Sequence, residues 1–88
     1  MKNLPLLRVE NKYSQELLIL GQKIRGIRLS KNLTQSDLAS HCDVDIRTIQ
    51  RIEKGGFNMS LKVFFSICDS LQTKPEVLIV VEPKTQFH

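Results

Sequence analysis

At 88 residues the chain can bury one modest core and has no room for a second independent unit. Its 41% hydrophobic and 25% charged residues are ordinary for a globular protein, so a folded chain rather than a disordered one is expected, and no run approaches the roughly 18 apolar residues a membrane span needs. The net charge of +4 lies wholly between Gln22 and Lys62, where eight Lys and Arg face four acids; the flanks cancel.

A basic central segment is what a polyanion-binding face requires, although many basic proteins bind no nucleic acid. The N-terminus lacks the basic-then-apolar layout of a signal peptide, so a cytoplasmic protein is expected.

Residues 1–13 hold Pro5 and a short apolar run, Leu4, Leu6, Leu7 and Val9, and read as an arm or short strand. From Ser14, a good N-cap type, to Lys31, the residues Leu17, Leu20, Ile24 and Ile27 recur at intervals of three and four and predict an amphipathic helix. Gly21 and Gly26 weaken it by roughly 1 kcal/mol each relative to Ala, which packing must offset. Asn32-Leu33 breaks the pattern.

Thr34 then stands one residue before a short helix, Q-S-D-L-A-S-H-C, with Asp37 in its first turn. Asp43-Val44-Asp45 is the turn, and Asp45 caps a second short helix, I-R-T-I-Q-R-I-E-K, ended by Gly55-Gly56 because glycine takes a left-handed backbone without steric cost. Ser60 caps a fourth helix, with Leu61, Phe64, Ile67, Cys68 and Leu71 on one face.

Pro75 to Pro83 contains five adjacent apolar residues, Val77, Leu78, Ile79, Val80 and Val81. Pro75 suits the first turn of a helix, whereas the β-branched residues suit a strand, and periodicity does not decide between them. The expected organisation is an arm at 1–13, one domain at 14–80 and a tail at 81–88.

Cys42 and Cys68 form no C-x-x-C pair and have no cysteine or histidine cluster at metal-ligand spacing, so both read as core residues. His41 and His88 receive no role. No paired carboxylates, no nucleophile with a base and no phosphate-cradling loop appears, so neither an enzyme, a metal site nor a cofactor is expected.

The most informative pattern is two short helices joined by a three-residue turn. Helices that cross steeply need a small residue at their approach, Ala39, an apolar one after the turn, Val44, and buried branched residues on the second helix, Ile49 and Ile52; Leu38 closes this small core. The second helix then projects Ile46, Arg47, Gln50 and Arg51 outward, where a major groove about 12 Å wide admits it.

Three stretches, L-G-Q-K-I-R-G-I-R at 20–28, T-Q-S-D-L-A at 34–39 and V-D-I-R-T-I-Q-R-I-E-K-G at 44–55, resemble the Cro/repressor-type helix-turn-helix family, also called xenobiotic-response-element or lambda-repressor-like. The resemblance continues through N-M-S-L at 58–61 to about Leu78. It implies an all-α, compact five-helix domain, with short strands possible at either end, and a DNA-binding transcription regulator.

Carried over by position, the resemblance implies that Gln35 contacts backbone phosphate while Arg47 and Arg51 reach base edges or phosphates, flanked by Asp45 and Thr48. Arg matches the O6 and N7 of guanine, Gln50 can read adenine in the same bidentate way, and Ile46 can press on a thymine methyl. Lys54, Asn58 and Lys62 surround the loop into the fourth helix and suit phosphate. Arg28 and Glu53 are implied to form a partly buried salt bridge, a matter of scaffold rather than contact.

The sequence departs from the family at four places. Asp43 and Asn32 stand where glycine is usual, and Lys31 and Cys42 where larger apolar residues are common.

The expected partner is double-stranded DNA, bound by a homodimeric repressor at a pseudo-palindromic operator, with residues 77–81 as the dimer interface. The alternative is an antitoxin or adaptor whose termini grip a protein such as a toxin.

Overall fold

The computed structural model describes residues 13–79, and within them the chain is helical, with no strand. Five helices follow in order: α1 (Ser14–Ser30), α2 (Gln35–Cys42), α3 (Ile46–Lys54), α4 (Leu61–Leu71) and α5 (Pro75–Ile79). Val77 to Ile79 are therefore helical; the expected terminal strands, and Val80 and Val81, lie outside the described residues.

Local chemistry sets most of these boundaries. At α2, Thr34 Oγ1 accepts from the Asp37 N–H at 2.9 Å while Asp37 Oδ2 accepts from the Thr34 N–H at 2.9 Å, a reciprocal capping box that satisfies two donors the helix leaves open. Asp45 caps α3 through the Arg47 N–H, and Ser60 caps α4 through the Val63 N–H. Gly55 ends α3 at φ 83°.

Asp43 and Asn32 take φ of 56° and 60°, so the two residues that replace family glycines adopt the left-handed backbone that the turns demand. Gln72 does the same at φ 55°, which its residue type did not foretell. Tyr13, not Ser14, occupies the cap position of α1, and it offers no side-chain cap; Ser14 is already helical.

The core forms where α1, α2, α3 and α4 converge. Ile24, Leu38, Ile49, Ile52, Ile67 and Leu71 are almost fully buried, joined by Ala39, Phe64 and both cysteines. Burying each Ile or Leu contributes about 1.5–3 kcal/mol. Both cysteines are reduced and buried, in keeping with a packing role.

Two expectations are corrected. Leu61 is 72% exposed, because it sits at the first position of α4 before the helix meets the core. Leu78 is 1% exposed, sealed in the core as α5 folds back on α1, so its side chain is not available to a dimer interface; Val77 and Ile79 on either side point outward.

Of the four glycines, Gly21 has the least room for a side chain. A Cβ built there would lie 2.1 Å from the Ile52 carbonyl oxygen, so only glycine lets α1 come this near the end of α3. The residue that weakens α1 locally is the one that permits its packing. Gly26, by contrast, faces open space.

Candidate nucleic-acid interface

Helix α3 is divided along its length. At 100° per residue, Ile49, Ile52 and Glu53 fall on the side against the body and are buried, while Ile46, Arg47, Gln50, Arg51 and Lys54 fall opposite and are exposed. Thr48 is half-buried between the two sides. The side chains of Arg47, Gln50, Arg51 and Lys54 make no hydrogen bond or ion pair among the described residues, leaving their donors uncommitted.

The inward side is held by a polar clamp as well as by apolar packing. Arg28 Nε and Nη2 donate to Glu53 Oε2 and Oε1 at 2.7 and 3.0 Å, and Arg28 Nη1 donates to the Leu33 carbonyl at 2.8 Å. Both side chains are under a tenth exposed. The hydrogen bonds and charge of Glu53 outweigh burial and hold the guanidinium protonated even more firmly than usual. The bidentate fork ties α1 to α3 and, through Leu33, to the segment that starts α2.

Gln35 joins the same cluster, its Nε2 donating to Glu53 Oε1 at 3.1 Å from a half-buried position at the start of α2. One amide hydrogen and the carbonyl oxygen remain for other partners. Asp45 is exposed at the tip of α3 with one carboxylate oxygen already capping the helix. Asn58 and Lys62 are exposed around the start of α4, so they stand apart from the α3 face along the chain.

Sequence reading did not find Gln22 and Arg25. With Leu18 they form an i, i+4, i+7 stripe on α1 that lines a surface groove, closed on the other side by Gln35, Gln50, Glu53 and Lys54. The spacing was visible; what hid its meaning was that only the packing of α1 on α3 shows which stripe faces α3.

Burial pushes the Cys68 thiol up, away from the thiolate a nucleophile needs. Among the described residues no cluster of His, Cys, Asp or Glu could hold a metal ion, and no helix is long and apolar enough to cross a membrane.

Comparison with known proteins identifies the family and the fold. A helix-turn-helix family model matches residues 24–78. The chain is 43% identical over 63 residues to the control protein C.BamHI of Bacillus amyloliquefaciens, covering 70% of this chain and 78% of that protein. It is 40% identical over 63 residues to an uncharacterised helix-turn-helix-type transcriptional regulator of Methanocaldococcus jannaschii, covering 72% and 96% of the two. Among solved structures, the restriction-modification controller protein C.AhdI from Aeromonas hydrophila superposes with a TM-score of 0.71 at 30% identity, over 73% of this chain and 97% of that one.

Proposed function

This chain belongs to the lambda-repressor-like helix-turn-helix family of DNA-binding transcription regulators, and from that premise we propose that it reads an operator through the outward face of α3. The observation that carries the proposal is the uncommitted donor set on that face, with Arg47, Gln50, Arg51 and Lys54 exposed on a helix anchored behind by Ile49, Ile52 and the Arg28–Glu53 pair. Arg47 and Gln50 read base edges beside Asp45, Ile46 and Thr48; Arg51, Lys54, Gln35, Asn58 and Lys62 hold backbone phosphates.

The names of two relatives, a control protein and a restriction-modification controller, support a role in controlling transcription of a restriction-modification gene cluster. In this reading the protein acts in the cytoplasm as a homodimeric repressor at a pseudo-palindrome with half-sites about 34 Å apart, without catalysis. Val77 and Ile79, 50% and 56% exposed, supply the apolar part of the dimer contact. No observation favours the antitoxin or adaptor reading.

Selection of duplexes from a random pool tests the proposal. The wild-type chain is expected to enrich one motif with two-fold symmetry, and Arg47→Ala to lose discrimination at one position of each half-site. Enrichment of no motif refutes specific reading; a strict monomer in sedimentation at micromolar protein refutes the dimer.

A further inference from the structure

We infer that α1 adds a phosphate seat to the DNA contact surface, built by Arg25 and Gln22 across the groove from Gln35, Gln50 and Lys54, and that its occupant is one phosphodiester of the operator backbone. The inference rests on the reading of α3 as the DNA-reading helix and adds to it a contact from a helix otherwise assigned to scaffold.

Charge decides the class of ligand. The carboxylate in the groove, Glu53, is neutralised by Arg28 behind it, so Arg25 and Lys54 leave the groove with an excess of two positive charges. The remaining polar lining is amide: Gln22, Gln35 and Gln50 can donate N–H groups without adding charge, while Leu18 closes one end with an apolar wall. Two cations flanked by neutral donors suit an anion that is singly charged, multiply accepting and approached from several sides.

Uncommitted donors point the same way. Gln22, Arg25, Gln50 and Lys54 make no side-chain hydrogen bond or ion pair among the described residues, and Gln35 spends only one amide hydrogen, on Glu53. Position selects the source of the anion. Gln50 and Lys54 belong both to the outward face of α3 and to this groove, so a duplex whose bases meet α3 brings its backbone over the rim toward α1. Three helices then grip one phosphate, and the Gly21 contact that brings α1 against α3 sets the width of the grip.

Binding of the selected operator and of a random duplex by wild type, Arg25→Ala, Gln22→Ala and Lys31→Ala tests this, each at several salt concentrations. Arg25 is exposed on a helix surface with no partner to strand, so its replacement leaves the fold intact. Arg25→Ala is expected to bind about tenfold more weakly per half-site to both duplexes, with a salt slope lower by about one per half-site. Gln22→Ala loses less and keeps the slope, having removed a neutral donor. Lys31→Ala removes the same charge from the C-terminal end of α1, outside the groove, and stays within about twofold of wild type.

Methylphosphonate substitution along the operator locates the seat. Wild type is expected to show a penalty at one phosphate in each half-site that Arg25→Ala does not show. Equal losses for Arg25→Ala and Lys31→Ala, or a penalty at that phosphate that survives in Arg25→Ala, overturns the seat while leaving the α3 reading intact. Failure of wild type to prefer any duplex removes both. Saturable binding of inorganic phosphate at the groove, with operator affinity unaltered in Arg25→Ala, overturns the assignment of the anion to DNA.

Discussion

Replacing the two glycines of α1 with alanine should shift stability in opposite directions. Alanine at either position relieves the backbone entropy cost of glycine in a helix, worth about 1 kcal/mol. At Gly26 nothing opposes the gain, since an added Cβ meets no atom within 4 Å. Gly26→Ala should therefore raise the melting temperature by about 4–8 °C, the response of a domain of this size to 1 kcal/mol.

At Gly21 the same methyl lands 2.1 Å from the Ile52 carbonyl oxygen, 3.0 Å from that of Glu53 and 3.1 Å from the Glu53 carbonyl carbon. All three atoms are backbone, so no rotamer change relieves the clash, and α1 must move off α3 by about 1 Å. Overpacking of this kind costs about 1–3 kcal/mol. The movement also stretches the 2.7 and 3.0 Å bonds between Arg28 and Glu53, which draws further on a buried charge pair.

The net expectation is a loss of about 2 kcal/mol, a drop in melting temperature of about 10 °C, with weaker operator binding because α3 is displaced. Thermal and denaturant unfolding followed by circular dichroism measures both variants. A Gly21→Ala protein that melts at or above wild type would show that the close approach of α1 to α3 is not what holds α3 in place.

Arg28→Met should cost about 3–5 kcal/mol by stranding the buried Glu53 carboxylate, whereas Arg28→Met with Glu53→Met should cost less than either single change; denaturant unfolding of the three variants checks the coupling. Arg47→Ala should lose about 1–3 kcal/mol on the selected operator and far less on random duplex, and equal losses on the two contradict base reading. Lys54→Ala should instead weaken both duplexes alike and lower the salt slope by about one per half-site, as fluorescence anisotropy across salt concentrations can measure.

Acid stability depends partly on Asp37. The Thr34 backbone N–H and then its hydroxyl hold this carboxyl below the usual aspartate range. A group whose folded value is lowered stabilises the fold at pH above its unfolded value, about 4, and the contribution disappears as pH falls through the folded value. The melting-temperature gap between wild type and Asp37→Asn should accordingly be constant near neutrality and shrink below about pH 4. A gap unchanged down to pH 2 contradicts the capping-box account.

Much of this fold was legible because the decisive signals are local. Thr34 with Asp37, Asp45, Ser60 and Gly55 mark helix ends through bonds or backbone angles within a few residues, and the structure places helix boundaries beside each of them. The division of α3 into Ile49 and Ile52 on one side and Arg47, Gln50 and Arg51 on the other follows from the helical period alone.

What escaped sequence reading depends on packing between distant segments. Gly21 looked like a weakness because helix propensity says nothing of the α3 carbonyl above it. Leu61 and Leu78 exchanged their expected environments because an apolar residue at the edge of a helix can face either way until its neighbour is placed. Gln22 and Arg25 are ordinary surface residues of α1 until α3 lies beside them.

DNA binding through the outer face of α3 is tested most directly by the backbone amide shifts of isotopically labelled protein, recorded with and without the selected duplex. The largest changes should fall on residues 45–54, with smaller ones at Gln22, Arg25 and Gln35. Changes concentrated on α4 and α5, with Arg47, Gln50 and Arg51 unmoved, would contradict it.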